Sequence, residues 1–172
     1  MILIAMGANL ASPRHWTPRE TLEAALKALE ERGLKMLLRS SWYRSAPVPR
    51  SDQPWFVNGV IALETKLGPG ELLQLLHDVE ADFGRVRSVP NAPRCIDLDL
   101  LAYNDLVSEE GAWPVLPHPR LAERAFVVRP LEEIAPEWRH PVTGLDPSEM
   151  ALALPEDQLT ERMDCDPVGD KI

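Results

Sequence analysis

The chain has 172 residues, 45% of them apolar, and a formal net charge of −9 at pH 7. Its length suits one domain with its own hydrophobic core, and its negative charge disfavours nucleic acid as a partner. No run of about 18 apolar residues predicts a membrane-spanning helix, and the two cysteines provide no disulfide framework. We therefore expect a cytoplasmic monomer with one domain over residues 1–172 and with neither a nucleic-acid nor a membrane partner.

The first part of the chain alternates between strand-like and helix-like segments. Thr17 and Glu20 have the spacing of a capping box around Pro18, and leucines then recur at helical spacing until Gly33. A second helical pattern begins at Gly68. The predicted elements are a strand at residues 1–6, a helix at 17–33, strands at 34–45 and 55–66, a helix at 68–84 and a strand at 96–103.

This order is βαββαβ, which is typical of the ferredoxin-like fold. The sequence therefore predicts an α+β protein with an antiparallel sheet, two helices on one face, and a second face left for the rest of the chain. The C-terminal extension predicts a short strand at 106–107, a helix at 125–134 and one short helix after Asp146. We expect a disordered tail over about residues 157–172, which are acidic and contain prolines.

Two aspartates on the last core strand indicate a site for a metal and phosphates. Side chains alternate along a strand, so Asp97 and Asp99 share one face. Paired carboxylates suit Mg²⁺, and Arg85, Arg87 and Arg94 upstream suit a polyphosphate. The alternative is an exposed edge strand with two solvated acids. The three arginines favour the site.

Other polar residues leave structural and functional interpretations open. Phe56 and Asn58 share one strand face and could bind a flat polar heterocycle, although on these two residues alone a covered aromatic and an amide bonded to backbone are the better explanation. His77 and Glu80 share a helix face that is expected to be solvated. His118 lies in a proline-rich loop, where a histidine is usually structural.

A series of ordered motifs resembles one enzyme family, 6-hydroxymethyl-7,8-dihydropterin pyrophosphokinase. The resemblance runs from residue 1 to about residue 141. The motifs are GANL at 7–10, SWYRS at 41–45, QPWFVN at 53–58, GRVR at 84–87, PRCIDLD at 93–99, LPH at 116–118 and FVVRPL at 126–131. The resemblance implies transfer of pyrophosphate from ATP to the hydroxymethyl group of the pterin, with release of AMP, in folate biosynthesis. It also implies two Mg²⁺ ions.

The resemblance assigns roles to individual residues. Asp97 and Asp99 match the metal ligands, and Arg85 and Arg94 match catalytic arginines that hold the triphosphate. The pterin site is matched by Ser45, Ala46, Pro47, Val48, Phe56, Asn58 and Phe126. The ATP site is matched by Glu80, Arg85, Arg87, Arg94, Ile96, His118, Arg120 and Arg124.

The sequence departs from this pattern in the short segment 88–92, at Trp113 and at Pro119. We expect the loop at 87–93 to order over the two substrates. Two other hypotheses remain open at this point. One is another Mg²⁺-dependent nucleotide enzyme without a pterin pocket, such as a nucleotidyltransferase or phosphohydrolase. The other is a regulatory module that binds a small molecule without chemistry.

Overall fold

One antiparallel sheet organises the protein, which we describe from a computed structural model over residues 1–12, 17–85 and 93–163. Within these ranges the strands are β1 Ile2–Ala8, β2 Lys35–Arg39, β3 Tyr43–Ser45, β4 Phe56–Glu64, β5 Asp97–Tyr103 and β6 Thr160–Arg162. The helices are α1 Pro18–Glu31, α2 Pro69–Asp82, α3 Ala125–Ile134 and α4 Pro147–Leu152, and a 3₁₀ turn spans Leu121–Glu123. The order of strands across the sheet is β5-β1-β4-β3-β6, and β2 also pairs with β4.

The predicted α+β class and the βαββαβ order are confirmed when β2 and β3 are taken as one interrupted strand. The register pairs Ile4 of β1 with Ile61 of β4 on one side and with Leu100 of β5 on the other. The predicted capping box of α1 is also present, because the Thr17 side chain accepts a hydrogen bond from the Glu20 backbone N–H.

Helices α1 and α2 cover one face of the sheet, as predicted. Their leucine stripes pack on every second residue of the central strands, because alternate side chains of a strand point to the same face. This larger core contains Ile4 and Met6 of β1, Ile61 and Leu63 of β4, Leu98 and Leu100 of β5, Leu22, Leu26 and Leu29 of α1, and Leu72, Leu76 and Val79 of α2.

The C-terminal extension covers half of the opposite face. Leu3 and Val60 pack there against Val128 and Leu131 of α3 and Met150 of α4. The register between β1 and β5 shifts at Leu3, so that Leu101 is an extra residue, and Leu101 enters this second core. The other half of this face, at the N-terminal end of β5, remains open to a pocket.

The predicted single strand at 34–45 is wrong, because two strands are separated by residues 40–42. The Ser40 hydroxyl accepts a hydrogen bond from the Val60 backbone N–H, and the Trp42 ring lies over Gly59. A Cβ on Gly59 would lie 2.8 Å from that ring, so glycine permits the close approach. The chain therefore turns Trp42 into the core and interrupts the pairing.

Two C-terminal predictions also need correction. Residues 106–107 form no strand, and both side chains are exposed. The expected disorder from about Asp157 is wrong for Thr160–Arg162, which pair with β3, since the backbone of β3 offers an edge to a further strand. Residues 164–172 lie outside the described residues. Among the described residues, no helix is long and apolar enough to cross a membrane.

Candidate active site

A pocket opens on the uncovered half of the sheet. Its floor is formed by the C-terminal end of β1 and the N-terminal ends of β4 and β5. One wall is the loop after β3, and the other wall is the start of α3. The lining residues are Ala5, Met6, Gly7, Ser45, Ala46, Pro47, Val48, Pro49, Ser51, Gln53, Phe56, Asn58, Arg94, Asp97, Asp99, Arg120, Arg124 and Phe126. The pocket therefore combines an acidic pair, arginines and aromatic rings.

The two aspartates point into the pocket, as strand alternation predicted. Asp97 pairs with Gly7 and Asp99 with Ala5 across β1, so both carboxylates stand on the face opposite Leu98. Asp97 accepts hydrogen bonds from Arg85, at 2.6 Å, and from Arg94. Two of the three upstream arginines are thus assembled around one carboxylate.

Glu80 supports this arginine cluster from inside the protein. Its carboxylate is 2% exposed, accepts a hydrogen bond from Arg85 and accepts another, at 2.7 Å, from the Leu98 backbone N–H. Burial would lower the pKa of Arg85, but the carboxylates of Asp97 and Glu80 outweigh it and raise that pKa. The solvated face predicted for Glu80 is therefore wrong. Glu80 fixes the start of β5 and the direction of Arg85.

Asp99 has a different electrostatic environment. Burial, followed by the charge of Asp97, raises the pKa of Asp99. Arg124 donates a hydrogen bond to it at 3.3 Å, and burial lowers the pKa of Arg124. Burial likewise lowers the pKa of His118, which disfavours the charged imidazolium there. Asp97 and Asp99 are therefore two close carboxylates, and among the described residues Asp99 has a single, long hydrogen bond from an arginine. A bound cation would offset the repulsion between the two carboxylates.

The carboxylate pair fits a divalent cation that keeps several non-protein ligands. The described residues contain no cluster of three or more His, Cys, Asp or Glu side chains. Mg²⁺ usually binds one or two carboxylates and completes its shell with water and phosphate oxygens. Asp97 and Asp99 could hold such an ion, but they could not enclose it completely.

Aromatic and amide side chains form the other end of the pocket. Phe56 and Phe126 both line it, one from the sheet and one from α3. Asn58 is 4% exposed, and its amide donates a 2.7 Å hydrogen bond to the Ser45 hydroxyl. A Cβ on Gly7 would lie 2.9 Å from the Asn58 amide oxygen, so glycine makes room for this side chain. This end can stack on a flat ring and hydrogen-bond its edge.

Most of the predicted site residues line the pocket, with five exceptions. Ile96 is fully buried in the larger core, so its side chain cannot touch a nucleotide. Arg85, Glu80 and His118 are not among the lining residues, although Arg85 and Glu80 belong to the hydrogen-bonded cluster around Asp97. Arg87 lies outside the described residues, as does most of the loop at 87–93. Arg120 and Arg124, predicted only from the resemblance, do line the pocket.

Asn9 is a site residue that the sequence interpretation missed. Its side-chain oxygen accepts a 2.8 Å hydrogen bond from the Arg94 backbone N–H, and its amide donates to Gln53, at 3.2 Å, and to the Pro54 carbonyl. The side chain is 3% exposed. It ties the segment that carries Arg94 to the loop that carries the pocket wall. An asparagine directly after a buried strand was the available signal.

The fold and pocket together define a class of protein, a small α+β domain whose pocket places arginines and paired aspartates beside an aromatic recess. The model of the 7,8-dihydro-6-hydroxymethylpterin-pyrophosphokinase (HPPK) family matches residues 3–136. The chain is 40% identical over 141 residues to the 2-amino-4-hydroxy-6-hydroxymethyldihydropteridine pyrophosphokinase of Pseudomonas aeruginosa, covering 81% of this chain and 83% of that protein. The chain therefore belongs to the HPPK family.

Other similar proteins are longer. The chain is 38% identical over 148 residues to the folic acid synthesis protein fol1 of Pneumocystis carinii, which covers 84% of this chain but only 19% of that protein. The crystal structure of Plasmodium falciparum HPPK-DHPS superposes with a TM-score of 0.66 at 14% identity, over 88% of this chain and 44% of that chain. At this identity the likeness concerns the fold.

Proposed function

We propose that this protein transfers pyrophosphate from ATP to the hydroxymethyl group of 6-hydroxymethyl-7,8-dihydropterin and releases AMP. The observation that carries the proposal is the shared pocket. Phe56, Asn58 and Phe126 line the same pocket as Asp97, Asp99 and Arg94. A ring-binding recess beside a phosphate-binding cluster is what a reaction between a pterin and ATP requires. Membership of the HPPK family supports the same substrates.

The pterin binds between Phe56 and Phe126, where stacking on each ring adds to the burial of its apolar surface. Asn58 hydrogen-bonds the ring edge, and the Ser45 hydroxyl, which accepts from the Asn58 amide, fixes the orientation of that amide. The backbone of residues 45–48 closes the recess. This geometry directs the hydroxymethyl group towards the aspartates.

The phosphates of ATP bind at the arginine end of the pocket. Arg94 and Arg124 line it, and Arg85 stands behind Asp97 at a side-chain exposure of 17%. Their guanidinium groups hold phosphate oxygens and stabilise the charge that develops during transfer. Mg²⁺ ions held by Asp97 and Asp99 would neutralise further phosphate charge and polarise the phosphorus that is attacked.

Positioning, rather than proton abstraction, accounts for most of the rate in this proposal. Asp97 and Asp99 are the carboxylates in the pocket lining, and both are assigned to the metal. Phosphoryl transfer needs little covalent help, because alignment of the two substrates and stabilisation of charge lower most of the barrier. Asn9 and Glu80 contribute by fixing the segments that carry Arg94 and Arg85.

Identification of the nucleotide product tests the proposal. The protein is incubated with ATP, MgCl₂ and 6-hydroxymethyl-7,8-dihydropterin, and nucleotides are separated by ion-exchange chromatography. We expect AMP, formed only when the pterin is present. ADP, or pyrophosphate release, would assign another nucleotide reaction to the site, and absence of turnover would indicate a binding module.

We further propose that the protein acts as a cytoplasmic monomer and that residues 1–172 form one domain. The two cores share a single sheet, which supports the single domain. Sedimentation analysis of the purified chain with its substrates tests the oligomeric state. A dimer that persists at low micromolar concentration would contradict it.

A further inference from the structure

The segment at residues 158–160 connects the two walls of the pocket, although it lies beyond residue 136, where the match to the family model ends. On one side, the Leu159 carbonyl accepts a 3.1 Å hydrogen bond from the Ala46 backbone N–H, and Thr160 pairs with Ser45. Ser45 and Ala46 line the pocket. The segment is thus part of the sheet that carries the first wall.

On the other side, the Gln158 side chain binds the start of α3. Its amide oxygen accepts a 2.8 Å hydrogen bond from the Ala125 backbone N–H, and its amide nitrogen donates at 2.8 Å to the Glu123 carbonyl. These two bonds fall on either side of Arg124. Arg124 and Phe126 both line the pocket, and the Arg124 guanidinium carbon lies 5.5 Å from the centre of the Phe126 ring.

The start of α3 needs this external partner because its own sequence provides no cap. Arg124 occupies the N-cap position and makes no side-chain capping bond. The first backbone N–H groups of a helix have no acceptor within the helix, and a polar side chain usually supplies one. Gln158, which is distant in sequence, takes this role for Ala125. The rest of α3 is fixed by Val127, Val128 and Leu131 in the second core.

We propose that Gln158 is a positioning residue that sets the place of Phe126 and Arg124 relative to the opposite wall of the pocket. This inference rests on the proposed function, because it assigns the two positioned side chains to the pterin and the phosphates. Loss of Gln158 leaves α3 packed on the sheet through its buried residues. It frees the first turn, so the distance between the two aromatic rings is no longer fixed.

Two variants of Gln158 and one control separate positioning from general destabilisation. Gln158→Ala removes both hydrogen bonds. Gln158→Glu keeps an acceptor for the Ala125 N–H and adds a negative charge at the helix N-terminus, but it loses the donor to Glu123. Glu161→Ala is the control, because it changes an exposed side chain in the adjoining strand β6 that pairs with Arg44 at the surface. Steady-state kinetics gives the pterin KM and kcat, and thermal unfolding gives Tm.

We expect Gln158→Ala to raise the pterin KM about fivefold, the effect of roughly one net hydrogen bond, and Gln158→Glu to recover at least half of this loss. Glu161→Ala should keep the wild-type KM. A merely structural role would lower the amount of folded enzyme, and therefore the apparent kcat, without changing the KM. An unchanged pterin KM in Gln158→Ala, or equal changes in Gln158→Ala and Glu161→Ala, would overturn the proposal.

Amide hydrogen exchange provides a readout that does not depend on turnover. In Gln158→Ala, protection of the Ala125 and Phe126 amides should fall about tenfold relative to Val128, while Glu161→Ala should leave it unchanged. Unchanged protection at residues 125 and 126 would contradict the inference whether or not the wild-type protein forms AMP. Failure of AMP formation by the wild-type protein, in contrast, would refute the proposed function and not the contact.

Discussion

Replacement of each aspartate by asparagine should separate activity from stability, because the two carboxylates have different surroundings. Asp97 accepts hydrogen bonds from Arg85 and Arg94, whereas Asp99 has one longer contact, 3.3 Å, with Arg124. If both bind the metal, Asp97→Asn and Asp99→Asn should each lose turnover. Their effects on folding should nevertheless differ.

The expected magnitudes follow from these contacts. Loss of one metal ligand should cost about 3–4 kcal/mol of transition-state stabilisation, which is roughly a 10²–10³-fold fall in kcat/KM. For folding, Asp97→Asn weakens two charge-assisted hydrogen bonds that are partly exposed, at a cost of about 1–2 kcal/mol. The raised pKa of Asp99 means that its charged form is less favourable in the folded than in the unfolded protein. Asp99→Asn should therefore lower the unfolding free energy by less than about 0.5 kcal/mol, or raise it.

The assay combines AMP formation at saturating Mg²⁺ with urea unfolding in EDTA, followed by circular dichroism. Glu64→Gln is the matched control, because Glu64 lies on the same sheet and pairs with Lys35 at the surface. We expect the control to behave as wild type in both measurements. Near-normal turnover in either aspartate variant would refute the metal assignment. A fall of more than about 2 kcal/mol in the unfolding free energy of Asp99→Asn would show that Asp99 is structural.

Three further predictions concern single side chains. Phe56→Ala should weaken pterin binding about tenfold and leave ATP binding within about twofold, since the proposed function stacks this ring on the pterin and gives it no role at the phosphates; calorimetry with each ligand checks this, and equal losses would make Phe56 structural. Asn9→Ala should lower kcat/KM for ATP about tenfold, because it removes the hydrogen bond to the Arg94 backbone and the two that tie Asn9 to Gln53 and Pro54, so the Arg94 segment is no longer held to that loop; unchanged kinetics would contradict the role. Burial would raise the pKa of Glu133, but hydrogen bonds from Ser41 and Tyr43 outweigh it and lower that pKa. The ionised Glu133 side chain therefore stabilises the fold at a pH above its unfolded-state pKa, and this stabilisation is lost as the pH falls through its folded-state pKa. The difference in unfolding free energy between wild type and Glu133→Gln should therefore shrink as the pH falls from about 7 to about 3, and a constant difference would refute this.

The parts of the site that were predictable from sequence depend on local periodicity. Asp97 and Asp99 share a face because alternation along a strand requires only the strand itself. The same reasoning placed Phe56 and Asn58 on the open face, and both line the pocket. The resemblance added Phe126, which no local pattern connects with the sheet. These residues were therefore predictable from short-range order and from ordered motifs.

The missed features depend on contacts between distant segments. Glu80 was predicted to be solvated because a charged residue on a helix usually is. In the fold, however, its carboxylate accepts a hydrogen bond from the Leu98 backbone N–H of β5. Residues 34–45 read as one strand because the contact of Trp42 with Gly59 cannot be seen in either segment alone. Gln158 lies in a polar tail, and its value as a cap exists only once Ala125 is placed next to it. Tertiary packing decides each of these cases.

The most direct test of the central claim follows the β-phosphorus of ATP through the reaction. ATP labelled at this phosphorus is incubated with MgCl₂, the hydroxymethyl pterin and the protein, and the products are separated. We expect the label to move to the pterin as a diphosphate ester, with release of one equivalent of unlabelled AMP. Label retained in ADP, or released as free pyrophosphate without modification of the pterin, would contradict it.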